Sequence, residues 1–320
     1  MMTPAEIRLR QNQILTTLML GAAQGNFIAE KLFPRLPQAL SAVSMIKMGN
    51  ERLRRYNLRR APGSPTKRLD IKWEGKTYTV DQYSVEVPIP RELLREADES
   101  RRLNVGQFLD ISRVAMATAK DVLAIDFEIE AAAAATDPTS YASGNVLALT
   151  GATKWSASTG TPVTDIRAAS NLIRKSTGVR PNTLNLSADA KLALVGNPEV
   201  RSYLPSTQMG PATLDQLKLI LEVENINVGD GIYMDANDVG QDIWGNNAVL
   251  AYVPMIAAGA NNDVSLAQPA FGFTNVLEGH PFAETPYFDN GLKSWMYGGT
   301  YERHVSIATP GAAFLFQNPK

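Results

Sequence analysis

The chain has 320 residues, enough for two domains or for one large domain with arms. Its 31 basic and 32 acidic residues leave a net charge of −1, so no global field argues for nucleic acid or a membrane, and any charge signal must be local. It has no cysteine, which excludes a disulfide framework, thiol catalysis and zinc sites built on Cys ligands.

No apolar run approaches the ~20 residues of a membrane helix. A cytoplasmic, soluble protein with no membrane partner is therefore the expectation. Residues 4–23 predict an amphipathic helix with an incomplete stripe of Ile7, Ile14, Leu15, Leu18 and Met19, ended by Gly21 and Gly25. Asn26 to Pro37 holds Phe27, Ile28, Leu32, Phe33 and Leu36 around Pro34 and Pro37, which predicts an extended arm. Its aromatics, Phe27 and Phe33, favour docking of that arm.

Residues 41–60 and 66–90 predict the limbs of one long hairpin, turned at Ala61-Pro62-Gly63-Ser64-Pro65. In the second limb Leu69, Ile71 and Trp73 alternate with Asp70 and Lys72, and Tyr78, Val80, Val85, Val87 and Ile89 continue the strand pattern. Two strands alone are marginal in water, and their open edges need a cover. Pro90 to Arg95 starts a helical turn. Asn104, with Gln107 behind it, then predicts the cap of a single helix over 105–136, ~48 Å long. Its expected buried stripe is Phe108, Ile111, Ala115, Thr118, Val122, Ile125, Ile129 and Ala132, and Asp137-Pro138 stops it.

The middle is mixed α/β. A helix following Thr164 ends at Gly178, a strand covers 183–186, and Ser187 caps a helix ended by Gly196. Thr213 to Gln216 spells a capping box ahead of Leu217. Strands follow near 223–228, 232–234 and 248–253, then 295–301, 305–308 and 313–316.

Catalytic signals are weak. The two histidines, His280 and His304, lack a nucleophile elbow. Asp235 to Gly240 starts like a calcium loop, but Val239 offers no oxygen at the fifth position and Asn246 stands where a bidentate Glu is needed. A polar turn is the simpler reading. The carboxylates Glu222, Glu224, Asp230, Asp235, Asp238 and Asp242 leave a metal- or carboxylate-dependent hydrolase as an alternative. No phosphate-binding glycine motif occurs, and no catalytic residue, metal site or cofactor is assigned.

The local anomaly is charge. Arg52, Arg54, Arg55, Arg59, Arg60, Lys67 and Arg68 form a run of seven cations with no acidic residue among them, and Tyr56 is interleaved. Such a run serves phosphate contact, a solvated hairpin face, or pairing with carboxylates of a neighbouring subunit. Glu96, Asp98 and Glu99, or Glu222 and Glu224, are acidic candidates for that pairing. The inter-subunit reading stands ahead of nucleic acid, because the hairpin carries little core of its own.

The order of these parts resembles the major capsid proteins of tailed bacteriophages, whose shell fold is named for a Hong Kong phage. The stretches that carry the resemblance are Val85-Glu86-Val87-Pro88-Ile89-Pro90-Arg91-Glu92-Leu93-Leu94, Asn185 to Leu194, and Tyr301-Glu302-Arg303-His304-Val305-Ser306-Ile307. The resemblance implies an α+β fold with an N-terminal arm (1–40), an extended hairpin loop (41–90), a peripheral domain with a long spine helix (91–143), a mixed α/β axial domain (144–261) and returning peripheral strands (262–320). It further implies hexamers and pentamers closing into an icosahedral shell around double-stranded DNA. The hairpin would lie across one adjacent subunit, and the arm would reach around another. Portal, scaffold and decoration proteins would be partners, and the virion, assembled in the host cytoplasm, the location. A bacterial encapsulin-like nanocompartment shell, enclosing cargo enzyme instead of DNA, shares those implications of fold.

Overall fold

The computed structural model describes residues 27–48, 53–62, 66, 68, 73–103, 110–205, 210–254 and 269–320. The helix expected over 4–23, the cap at Asn104 and the positions of Arg52 and Lys67 lie outside them.

A single helical turn, α1 (Ala29–Leu32), stops before Pro34 and is followed by strand β1 (Arg35–Gln38). The sequence reading makes this stretch wholly extended; proline ends the turn but leaves room for one ahead of it. Strands β2 (Ala42–Met48) and β3 (Trp73–Thr79) pair antiparallel and, among the described residues, with no other strand. Strand β4 (Asp81–Pro90) does not extend that hairpin, which corrects the expected limb. It pairs over ten residues with β14 (Ser294–Ile307). The reason lies in its alternation, since Val85 and Val87 pack onto the core while Glu86 faces water.

Helix α2 (Arg91–Leu103) continues from Pro90. The spine helix α3 (Ile111–Thr136) is shorter than expected, with Asp110 as its cap accepting from the Arg113 N–H. Its buried stripe is also rotated. Ala115, Met116, Ala119, Leu123, Phe127, Ala131, Ala132 and Ala135 face inward, whereas Val122 and Ile129 are exposed. Both stripes have helical spacing. The alanine-rich one wins because small side chains let the helix approach β4 and β14 closely.

Strand β5 (Val146–Ala148), helix α4 (Pro162–Thr177), strand β6 (Thr183–Ser187) and helices α5 (Ala188–Gly196), α6 (Pro198–Ser202) and α7 (Leu214–Leu221) follow. The local signals act as expected here. Gly178 caps α4 at φ 82°, Ser187 accepts from the Ala190 N–H, and Thr213 and Gln216 form a reciprocal capping box. Strands β7 (Asn225–Gly229), β8 (Ile232–Met234), β9 (Gly240–Asp242), β10 (Asn247–Ala251), β11 (Gly272–Leu277), β12 (Phe282–Ala283), β13 (Tyr287–Asp289), β14 and β15 (Ala313–Gln317) complete the chain. The two strands expected over 295–301 and 305–308 are one, the 14-residue β14.

Two main sheets result. One joins β1, β11, β14 and β12, with β4 and β13 also on β14; the other runs β5-β15-β10-β6-β7. The closing strand β15, expected among the peripheral strands, pairs instead with β10 and β5 in the second sheet. Strands β10 and β15 form a wall between two cores. Val249, Ala251, Ala313 and Leu315 face the spine helix, while Ala248, Leu250, Phe314 and Phe316 face the cluster built on α4, α5 and α7. Full burial of both faces explains why these strands read as continuous apolar runs.

Candidate assembly surfaces

The cations of the basic segment that the structure describes are in water. Arg54, Arg55, Arg59, Arg60 and Arg68 are exposed, and none has a carboxylate partner among the described residues. Arg60 donates to the Thr66 hydroxyl at 3.0 Å, and Asn57 caps the turn by accepting from the Arg59 N–H. Leu53 and Leu58 are exposed beside them, at 49% and 70%. Leu53 also lies against Gly178 of its own chain, where a Cβ would meet its methyl at 3.1 Å.

Of the acidic residues weighed as hairpin partners, Glu99 is taken by Arg102, and Glu222 faces Arg167 at 3.7 Å and Arg180 at 3.8 Å. Asp235 to Gly240 forms the turn between β8 and β9. One Asp235 oxygen accepts from the N–H groups of Asn237 and Val239, and those bonds hold its carboxyl below the usual range. Among the described residues no group of three or more His, Cys, Asp or Glu side chains converges for a metal, and no helix is long and apolar enough to cross a membrane.

The arm is seated on its own chain. Phe33 is fully buried, its ring 5.6 Å from that of Phe271, and its carbonyl accepts from the Thr274 hydroxyl. Gly272 makes this possible, since a Cβ there would lie 2.7 Å from the Phe33 ring. Phe27 is half-buried against Gly231.

Two buried charges fix these parts together, and the sequence reading singles out neither. Glu128 on the spine helix accepts from the Ile28 N–H at 2.7 Å, the Ala29 N–H at 3.0 Å and the Trp244 indole N–H at 2.7 Å. Burial raises its pKa, and the three bonds pull the other way. Arg303 on β14 is wholly buried. It donates to Asp126 at 2.6 Å and Glu130 at 3.1 Å, and its guanidinium stacks 4.0 Å from the Tyr83 ring centre. Their signals were present. Glu128 is the one carboxylate on the buried alanine stripe, and Arg303 falls on the core-facing register of Tyr301 and Val305.

The histidines are structural in setting. His280 accepts the Glu302 N–H at Nδ1, and burial lowers its pKa to about 4. His304 lies 5.8 Å from the Tyr78 ring and 3.5 Å from Asp81, at the base of the hairpin.

A docked arm, a projecting hairpin, a spine helix under a long-stranded sheet and a second α/β core define the shell subunits of tailed phages. The comparisons agree. Residues 141–263 match the family described as phage major capsid protein E. The major capsid protein of Burkholderia phage BcepMu is 33% identical over 281 residues, covering 88% of each chain. A phage-related protein from Bordetella bronchiseptica superposes with a TM-score of 0.75 at 33% identity, over 97% of this chain and 98% of that one. The capsid of cyanophage P-SCSP1u shares the fold at 14% identity, with a TM-score of 0.55 over 93% and 89% of the two chains. The chain belongs to the phage major capsid proteins, the subunits of the icosahedral head.

Proposed function

We propose that copies of this chain form rings of six and five that tile an icosahedral head around double-stranded phage DNA, each copy laying its basic hairpin on a neighbour. Its work is structural, and no step of it calls for a catalytic group. The observation that carries the reading is the hairpin itself. A two-stranded sheet that ends in exposed arginines and leucines is poorly stable alone and gains its cover on assembly. Heterologous contacts of this kind close into rings when the rotation permits. Residues 144–251, joined by β15, would form the axial domain at ring centres. The spine helix, β4 and β11 to β14 would form the peripheral domain. Portal, scaffold and decoration proteins would complete the head, assembly would take place in the host cytoplasm, and the genome would be met without sequence preference.

The test is direct. Particles from cells making the chain are imaged by negative stain, and their absorbance at 260 nm is read. A variant lacking residues 52–68 is predicted to remain a folded monomer that forms no stable ring or shell. Unfolding of that monomer, or normal shells from it, overturns the inter-subunit role of the hairpin. Shells loaded with a protein cargo and free of nucleic acid would point to a nanocompartment instead.

A further inference from the structure

Charge is segregated along this chain into a basic and an acidic stretch, each beside a two-stranded sheet. Between Lys218 and Lys293 there is no Lys or Arg, and Asp230, Asp235, Asp238 and Asp242 fall within 13 residues of that stretch. They lie on or beside the β8–β9 hairpin, a two-stranded sheet that pairs with no other strand among the described residues. On it Ile232, Met234 and Val239 are 50%, 63% and 52% exposed. Ile232 and Met234 share one face of the ribbon and lie over Gly240, where a Cβ would be 3.8 and 3.9 Å from them. The basic hairpin offers the complement, with seven cations over 52–68 and Leu53 and Leu58 exposed between them.

We propose that the acidic β8–β9 hairpin of one copy receives the basic 52–68 hairpin of a neighbouring copy. This rests on the inter-subunit reading of the basic hairpin and names the surface it meets. The β8–β9 ribbon and the basic segment each set exposed apolar side chains among charges, and the signs are opposite. The apolar contact supplies the burial, while the charges steer the encounter and set the register. The same leucines disfavour a phosphate backbone as the partner, since it has no use for apolar side chains. Within one copy, no ion pair joins the two hairpins among the described residues. Asp230 and Asp242, both exposed and flanking the ribbon on either side, are the carboxylates to perturb, because Asp235 holds the turn itself.

The absence of native cysteine makes the test clean. Leu58→Cys and Met234→Cys are placed in separate chains, and the two are co-assembled and oxidised. A disulfide-linked dimer is expected in the mixture and not in either variant alone, because the proposed contact brings position 58 of one copy to position 234 of the next, not to its own equivalent. Particles or capsomers that assemble without the mixed dimer overturn the proposal. A second arm uses charge. R54E/R55E and D230K/D242K should each lower particle yield at least tenfold with the monomer's Tm unchanged, and the four changes together should restore it. Loss with R54E/R55E that the fourfold variant does not rescue, and no mixed dimer, sinks this assignment but leaves the hairpin an inter-subunit element. Normal assembly of R54E/R55E sinks both readings, and normal shells that lack nucleic acid would make the hairpin a genome contact.

Discussion

Replacing Glu128 probes how the N-terminal arm is held. Its carboxylate is the shared acceptor for three N–H groups from two distant segments: Ile28 and Ala29 on the arm, and Trp244 before β10. Hydrogen bonds to a charged group contribute about 1.5–3 kcal/mol each, against several kcal/mol for desolvating the carboxylate. Glu128→Gln keeps one acceptor oxygen for Ile28 and Trp244 but turns an amide NH2 toward the Ala29 N–H. One orphaned donor and two weakened bonds, offset by cheaper burial of a neutral group, give a loss of about 2 kcal/mol. Glu128→Ala orphans all three donors and opens a cavity, for about 4 kcal/mol. Urea unfolding followed by tryptophan fluorescence measures the total. Amide hydrogen exchange at Ile28 and Ala29 localises it, with protection expected to fall roughly 30-fold for Gln and roughly 1,000-fold for Ala if the loss is confined to the arm. The pH dependence has a definite sign. Because burial raises the native pKa above the ordinary 4.5, the folded chain holds this proton more tightly than the unfolded one. That contribution is fully present below 4.5 and is lost as pH rises through the native value, and Glu128→Gln removes the slope. If Glu128→Leu proved as stable as the natural chain, with Ile28 and Ala29 still protected, the carboxylate would not be what holds the arm.

Two further perturbations address the spine helix and its sheet. Arg303→Met should cost about 3 kcal/mol in urea unfolding, since it breaks the pairing with Asp126 and Glu130 while filling most of the volume between Tyr83, Phe127 and Tyr301. Arg303→Lys should recover less than half of that, because an ammonium cannot span both carboxylates or stack. His280, neutral and buried, has a native pKa of about 4 against an ordinary 6.5. The unfolded chain therefore binds its proton first, so this contribution to stability is complete above 6.5 and drains away as pH falls toward 4. Stability curves of the natural chain and of His280→Asn between pH 7 and 4.5 should converge on acidification, and parallel curves would refute the assignment.

Local chemistry was legible in the sequence wherever one residue decides one boundary. Gly178, Ser187 and the Thr213–Gln216 box end or start helices through bonds made within four residues, so spacing alone locates them. The order of arm, hairpin, spine helix and α/β core was legible for the same reason. What was not legible depends on contacts across long sequence separations. The spine helix offers two apolar stripes, and only the presence of β4 and β14 selects the alanine-rich one. Likewise, nothing near Val85 says that its strand leaves the hairpin to pair with β14 more than 200 residues later. Glu128 and Arg303 look like ordinary charged positions until the segments they hold are folded against them.

Those long separations follow one pattern. Strand β14 pairs with β4, β11, β12 and β13 and packs on the spine helix, so the first core stays open until Ser294–Ile307 is in place. Strand β15 joins β5 to β10 and contributes to both cores, so the wall between them is likewise closed by the end of the described chain. Pairing of this kind carries the loop-closure cost that slows folding, because distant segments must meet before their contacts repay it. The two separate two-stranded sheets are different. Among the described residues, strands β2 and β3, and β8 and β9, pair only with their sequence neighbours, and no β8 or β9 side chain belongs to either core. Folding and the proposed assembly contacts would thus draw on largely separate residues: the subunit completes its cores through its late strands, while the β8–β9 ribbon proposed to meet a neighbouring copy is local and lies outside both cores. A mutation on a ribbon should therefore change what the subunit builds without changing whether it folds.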